Sequence, residues 1–229
     1  STNTIKDINT KGHHRKGKQS LILKVMKSPI VHFLFTLLVA YLASSKQHQP
    51  PSSLKLENIN NKNGAILQKL LIPRPPGSAN HQQVQQQLLQ WYREMGWQEQ
   101  WHKFTANTPK GPIPMANLIF TQNPKAKQRI VLAAHYDSKL VALDSKPGEE
   151  GLFVGATDSA LPCAMIVELC RAFAPTTNDD VTLQAVFFDG EEAIVNWTAS
   201  DSLYGSRHLA QMWSANNGNP LDFNLQNMR

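Results

Sequence analysis

Cysteine is scarce in this sequence. Its 229 residues include two cysteines, Cys163 and Cys170, seven positions apart in a segment with helical spacing. A helix would separate them by about 10 Å, which is beyond the roughly 7 Å that a disulfide can bridge. We therefore expect that the two thiols do not pair with each other. Neither cysteine is placed to help the acidic groups described below, which excludes a cysteine-rich structural zinc site.

Excess positive charge is also missing from most of the chain. The formal net charge is +6, and residues 1–28, with seven basic side chains and one acidic side chain, account for all of it. A nucleic-acid-binding protein would carry its basic face on the folded domain. We therefore predict no nucleic-acid partner. The sequence also lacks internal repeats and a glycine-rich phosphate loop, which excludes repeat architectures and P-loop nucleotide binding.

An apolar run occupies residues 29–45, PIVHFLFTLLVAYLASS, shortly after Met26. It is shorter than the roughly 20 residues that a spanning helix needs, but it suits a signal peptide. Ala43 and Ser45 are small residues spaced as a signal-peptidase site requires. We predict that synthesis starts at Met26, so that most of the basic extension 1–28 lies outside the native product.

The predicted location follows from this run. Cleavage near Lys46 would give a secreted protein, whereas retention of the run would give a Golgi membrane protein. Residues 46–63 are polar and indicate a linker. Residues 64–229 are then predicted to form a partial catalytic domain.

Strands alternate with helices from residue 64 onward, which indicates an α/β sheet with helices on both faces. Met115–Thr121 and Arg129–Ala134 are expected to pair as neighbouring strands. The pattern further predicts helices over 64–71, 80–95, 161–173 and 203–213, strands over 97–104 and 183–188, and loops over 109–114 and 139–152.

Acidic residues and one histidine follow the predicted strands. His135 and Asp137 come directly after an apolar strand, Glu191 and Glu192 follow the next strand, and Asp158 lies in GATDSALP. Ligands bind at the carboxyl ends of strands in α/β sheets, and these residue types bind zinc. Each residue also has an ordinary structural alternative. His135 would be a hydrogen-bonded histidine, Asp158 a helix cap, and the glutamates a solvated cluster with the preceding aspartate.

Taken together, the longer motifs resemble the glutaminyl-peptide cyclotransferases of the zinc aminopeptidase-like clan. The similar segments cover about 64–212 and are LLIPRPPGS (70–78), HYDSK (135–139), FVGATDSALPCAM (153–165), FFDGEE (187–192) and DSLYGSRHLA (201–210). The resemblance implies one α/β domain with a mixed central sheet, one catalytic zinc per chain and entry into the secretory pathway. It further implies a zinc-dependent acyltransferase that converts the N-terminal glutamine of peptides to pyroglutamate and releases ammonia.

By position, the resemblance assigns Asp158 and Glu192 as zinc ligands and Glu191 as the general acid/base. It assigns Trp197 to the substrate pocket, although an isolated tryptophan would by default be an ordinary half-buried residue. It places His135 and Asp137 beside the metal without making them ligands.

Two departures from the family pattern stand out. Many members carry a cysteine just before the HYDS histidine, paired with the one in PCAM, whereas this chain has Ala134 there and leaves Cys163 unpaired. The resemblance also places the third zinc ligand, a histidine, beyond Arg229. We therefore expect the chain to be a fragment or a truncated gene product.

Two other functions stay open on the sequence. A zinc aminopeptidase of the same clan would use two zinc ions, with His135 as a true ligand and Asp158 bridging them. An inactive paralogue would act as a secreted binding protein. Asn196-Trp197-Thr198 is an N-glycosylation sequon beside the predicted pocket, and its occupancy is open.

Overall fold

The structure is a computed structural model that describes residues 54–60, 62–140, 153–174 and 179–215. The basic extension, the apolar run 29–45 and most of the predicted loop 139–152 lie outside these residues. Within the described ranges, no helix combines the length and apolar composition needed to cross a membrane. The elements are a 3₁₀ helix (Leu56–Ile59), α1 (Leu67–Leu70), α2 (Ala79–Glu94), β1 (Gln98–Thr108), β2 (Gly111–Thr121), β3 (Gln128–His135), α3 (Leu161–Phe173), β4 (Val181–Phe188) and α4 (Tyr204–Ala215).

The longer predicted helices are confirmed, and their ends have the expected chemistry. The Ser78 hydroxyl caps α2 by accepting a hydrogen bond from the amide of His81, and Gly96 follows the helix with a φ of +73°. Pro162 lies in the first turn of α3, where its missing N–H costs nothing. The predicted helix over 64–71 is shorter than expected, because only Leu67–Leu70 is α-helical.

The sheet has the strand order β1-β2-β4-β3. β2 is antiparallel to both β1 and β4, whereas β3 and β4 are parallel, so the sheet is mixed as the resemblance implies. The expected pairing of Met115–Thr121 with Arg129–Ala134 is wrong, because β4 lies between β2 and β3. β4 is a mostly apolar strand that is buried along most of its length. A central position suits such a strand, because neighbouring strands then cover both of its edges.

The predicted loop over 109–114 is also wrong, because β2 already begins at Gly111 and pairs with β1 from that residue. Pro112 and Pro114 lie inside the strand. β4 pairs with β2 only over 118–121, so the proline-containing part has a single partner strand. Backbone groups of residues two apart lie on the same side of a strand. The two prolines can therefore face the unpaired side, where no N–H is needed, as they do in edge strands.

Helices cover both faces of the sheet, as the alternating pattern predicts. On one face Tyr92 of α2 stacks on Phe120 of β2, with ring centroids 4.0 Å apart, and packs edge-on against Phe187 of β4. Adjacent strand residues point to opposite faces. The neighbours of these two phenylalanines therefore face α4, in a second cluster formed by Ile119, Val186, Leu209 and Trp213.

Part of the predicted linker contacts the domain. The amide of Lys55 and the side-chain amide of Asn58 donate to the Glu168 carboxylate on α3, at 2.7 and 2.9 Å. Ile59 is buried beside them. Cys163 and Cys170 are both buried and unpaired on α3, so the expectation that they do not pair with each other is confirmed.

Gly205 allows α4 to approach the end of β4. Its amide donates to the carbonyl of Asp189 at 3.0 Å, and a Cβ at this position would collide with the Asp189 backbone and the Asn117 side chain. We expect Gly205→Ala to lower the free energy of unfolding by about 1–3 kcal/mol, because overpacking outweighs the better helix propensity of alanine. Chemical denaturation measures this change. Gln211→Ala, an exposed substitution on the same helix, serves as the control, and a Gly205→Ala protein as stable as that control would contradict the account.

Candidate active site

The parallel pairing of β3 and β4 brings the predicted site residues to one edge of the sheet. His135 ends β3 directly opposite Phe188, which ends β4. Asp137 and the glutamate pair therefore leave adjacent strand ends on the same side. This is the position at which α/β sheets bind ligands.

Asp137 is the buried centre of this edge, with 0 % of its surface exposed. Its carboxylate accepts hydrogen bonds from the amides of Glu191 and Glu192 at 3.1 and 3.2 Å, and lies 3.3 Å from Nδ1 of His135. Burial acts to raise the pKa of Asp137, but His135 and the two amides outweigh it and hold the pKa below its usual value. Asp137 therefore fixes the backbone of both glutamates.

His135 lies among three carboxylates. Its Nε2 is 2.8 Å from Oδ1 of Asp158 and 3.8 Å from Oε2 of Glu191, and its Nδ1 faces Asp137. Burial lowers the pKa of His135, but hydrogen bonds and charges from these acids outweigh it and raise the pKa to about 10. The imidazole therefore carries a positive charge that offsets part of the negative charge around it.

The two adjacent glutamates lie in different surroundings. Glu192 is buried, and burial together with the charges of Asp158 and Asp137 raises its pKa to about 7. The Glu191 side chain is 26 % exposed, and burial is the main reason why its pKa is raised. Glu192 is thus buried beside the other acids, whereas Glu191 is partly open to solvent.

Asp158 reaches this edge from an irregular turn, Ala156–Ala160, that precedes α3. Gly155 begins the turn with a φ of +57°, and a Cβ there would collide with the Asp158 carbonyl. The hydrogen bond from His135 is the main reason why the pKa of Asp158 is lowered. The alternative that Asp158 caps α3 is wrong, because the carboxylate binds His135 and no side chain among the described residues caps that helix.

Asp189 of the DGEE motif is a structural anchor that sequence reasoning missed. It is fully buried, with Oδ1 2.8 Å from Nε2 of His81, while Oδ2 accepts from the Ala116 amide at 2.7 Å and the Tyr136 hydroxyl at 2.8 Å. The alternative of a solvated acidic cluster is therefore wrong for Asp189. No local pattern could reveal this role, because the partners come from α2, β2 and the residue after β3.

Trp197 lies on an exposed loop between Glu192 and α4, and 56 % of its surface is accessible. A buried residue of the same loop, Asp201, organises it. The Asp201 carboxylate accepts hydrogen bonds from the amides of Ile194, Val195 and Asn196 and from the Tyr204 hydroxyl, at 2.7–2.9 Å. This aspartate therefore sets the path of the chain from the glutamate pair to Trp197.

The donor atoms at this edge suit a zinc ion. Asp158 and Glu192 supply carboxylate oxygens. Burial and the charges of Asp158 and Asp137 raise the pKa of Glu192, and a bound cation would offset that negative charge. Across the described part of the chain, no group of three or more His, Cys, Asp or Glu side chains is arranged to hold a metal ion. The carboxylates of Asp158 and Glu192 nevertheless fit zinc in chemistry.

Comparison with known proteins agrees with the motifs. Residues 117–227 match peptidase family M28. The chain is 46 % identical over 155 residues to a glutaminyl-peptide cyclotransferase-like protein of Bos taurus, and 39 % identical over 170 residues to the glutaminyl-peptide cyclotransferase of Drosophila melanogaster. The chain is homologous to the glutaminyl-peptide cyclotransferases. The alignments cover 64 % and 71 % of this chain but 39 % and 46 % of those relatives, so the chain spans less than half of their length.

Solved glutaminyl cyclases share the fold. The enzyme of Macrostomum lignano superposes with a TM-score of 0.65 at 39 % identity, covering 81 % of this chain and 56 % of that one. The enzyme of an Acidobacteriales bacterium gives the same TM-score at 29 % identity, covering 80 % of this chain and 58 % of that one. The predicted fold class, a mixed central sheet with helices on both faces, is thereby confirmed.

The role of Asp201 in holding the Trp197 loop is testable. Asp201→Asn replaces a carboxylate oxygen by an NH₂ group that cannot accept the amide hydrogen bonds. We expect the free energy of unfolding to fall by about 2 kcal/mol, the worth of hydrogen bonds to a charged group, and exchange of the 194–196 amides to accelerate. Hydrogen exchange read by mass spectrometry measures this, with the exposed Asp180→Asn as control. Unchanged protection of 194–196 would contradict the assignment.

Proposed function

We propose that the protein carrying this chain is a glutaminyl-peptide cyclotransferase. It would convert the N-terminal glutamine of a peptide to pyroglutamate and release ammonia. The observation that carries the proposal is the glutamate pair, held by Asp137 beside the contact of His135 with Asp158, in a chain homologous to this family. The substrate supplies its own nucleophile, the α-amine, so the site needs no activated serine or cysteine.

Glu191 is the proposed proton-transfer group. The α-amine nitrogen attacks the γ-carbonyl carbon, the new C–N bond closes the ring, and the γ-amide nitrogen leaves as ammonia. Glu191 would take the proton from the amine and return it to the leaving nitrogen. Its partial exposure lets substrate reach the carboxylate, and burial raises its pKa, which makes it a stronger base than an ordinary carboxylate.

Asp158 and Glu192 would hold one zinc ion per chain. When bound, zinc polarises the γ-amide oxygen as a Lewis acid. Asp137 keeps the backbone of Glu192 in place through its amide hydrogen bond, and His135 neutralises part of the acidic cluster. Trp197, held out in solvent by its loop, is the proposed wall of the substrate pocket.

We further propose that the protein enters the secretory pathway and acts on secreted peptides. The apolar run 29–45 supports this part of the proposal. Sequencing the amino terminus of exported material tests it, because cleavage leaves a terminus near Lys46, whereas a membrane-bound product would keep the run.

A zinc aminopeptidase is the second candidate. Nε2 of His135 lies 2.8 Å from Asp158, close enough to share a metal site, and residues 117–227 match a peptidase family. A peptidase of this clan would use two zinc ions. Metal analysis of the protein expressed from its native mRNA separates the two functions. We expect one zinc ion per chain, whereas a peptidase would hold two.

Substitution of the two glutamates tests their proposed division of roles. Glu191→Gln keeps the shape of the side chain but removes the base, so the protein should retain zinc and lose turnover by about 10²–10⁴-fold. Glu192→Gln should instead lower zinc affinity, because a neutral amide oxygen is a poorer ligand than a carboxylate. Zinc content and ammonia release are measured on the same preparations.

Asp158→Asn serves as the matched comparison and should behave like Glu192→Gln. The role assignment is wrong if Glu191→Gln loses its zinc while Glu192→Gln keeps both zinc and turnover.

A further inference from the structure

Arg74 is a fully buried arginine just after α1. Its side chain is 1 % exposed and, within the described residues, it has no carboxylate at ion-pair distance. A buried charge is costly unless hydrogen bonds satisfy it. The guanidinium instead donates to five backbone carbonyls, those of Leu70, Ile72, Tyr136, Val154 and Gly155.

These carbonyls belong to three separate segments of the fold. Leu70 and Ile72 lie at the end of α1 and just after it, Tyr136 directly follows β3, and the third segment, Val154–Gly155, leads into the turn that carries Asp158. The bond to Tyr136 is 2.6 Å long, and the one to Gly155 is 3.3 Å long. Arg74 therefore connects the strand end that carries His135 to the segment that carries Asp158.

The backbone of Arg74 strengthens the same connection. Its amide donates to the Ser138 hydroxyl at 2.8 Å, and its carbonyl accepts from the Ser138 amide at 3.2 Å. Both sides of the residue are thus bound to the HYDS segment. The guanidinium is held in one orientation, aimed at the carbonyls of Val154 and Gly155.

The charge of Arg74 also acts on the site. Burial lowers the pKa of its guanidinium, while acidic groups including Asp137, Asp158 and Glu192 raise it. Arginine stays protonated in proteins. A fixed positive charge thus lies close enough to the carboxylate cluster to stabilise it from the protein side.

We infer that Arg74 is a positioning residue for Asp158. The planar guanidinium hydrogen-bonds both Val154–Gly155 and the end of β3. These bonds fix the position of the turn from which the Asp158 carboxylate contacts His135. Lysine would keep the charge but presents one nitrogen instead of a rigid fork, so it cannot reach all three segments at once. The consequence for zinc binding rests on the proposed function, whereas the consequence for the loop does not.

Hydrogen exchange of the full-length protein tests the inference directly. We expect Arg74→Lys to accelerate exchange of the 154–160 amides about tenfold or more, while amides in α2 keep their protection. Arg74→Met removes the charge as well as the fork and separates the two contributions. Equal acceleration by both variants assigns the effect to the fork. Exchange of 154–160 that stays at the wild-type rate in Arg74→Lys overturns the inference.

Arg129→Lys is the matched control. Arg129 is also a buried arginine of this domain, 4 % exposed, but it lies near the opposite end of β3 and donates to the carbonyl of Pro124. A general loss of stability would accelerate exchange in both variants alike. We expect Arg129→Lys to accelerate exchange of the 154–160 amides no more than exchange in the rest of the domain. Selective acceleration of the 154–160 amides in Arg129→Lys would contradict the role of Arg74.

Zinc affinity provides a second readout. Arg74→Lys should weaken zinc binding about tenfold in equilibrium dialysis, although Asp158 and Glu192 are unchanged. If the wild-type protein binds no zinc, the proposed function fails, and the exchange experiment still decides the inference. Wild-type zinc affinity in Arg74→Lys, together with loosened 154–160 amides, would show that the loop does not position a ligand and would overturn the inference.

If Arg74→Lys does not fold, hydrogen exchange of the wild-type protein in denaturant still tests the inference. The amide of Ala160 donates to the Gly155 carbonyl. The amide of Arg74 donates to the Ser138 hydroxyl, and the amide of Ser138 donates to the Arg74 carbonyl. If Arg74 couples these segments, the three amides should open with the same dependence on denaturant. Opening of the Ala160 amide at much lower denaturant than the other two would overturn the inference.

Discussion

Two hydrogen bonds, from the amides of Glu191 and Glu192 to the buried carboxylate of Asp137, join the end of β3 to the segment after β4. A buried carboxylate is costly unless donors or cations compensate it. Here two amides and the His135 imidazole do so. The same imidazole also binds Asp158, so the placement of three acidic segments follows from the need to satisfy one buried charge.

Other charged side chains solve the same problem in the same way. Asp201 accepts from the backbone amides of its own loop, Asp189 accepts from a backbone amide of β2, and Arg74 donates to backbone carbonyls. Each of these buried charges is thus satisfied largely by the main chain. This is how segments around the site are fixed where Cys163 remains unpaired. The cost is that these residues tolerate little change, because removing one partner leaves buried polar groups unsatisfied.

Much of this arrangement could be predicted from the sequence, because it depends on local patterns. The apolar stripes and caps of α2 and α3, and the acids that follow β3 and β4, are readable over short windows. The position of β4 between β2 and β3 could not be predicted in this way, because strands that follow each other along a chain are the default pairing partners. The anchoring roles were missed for a related reason. Arg74 and Val154, for example, are 80 positions apart, and nothing near either residue points to the other.

The proposed reaction at this edge of the sheet is cyclisation of an N-terminal glutamine and not removal of that residue. Mass spectrometry of a glutamine-initiated peptide, incubated with the protein expressed from its native message, tests it most directly. We expect a single product that keeps every residue and has lost one ammonia. A peptide shortened by its first residue, with free glutamine in solution, would contradict the account and assign the site to a peptidase.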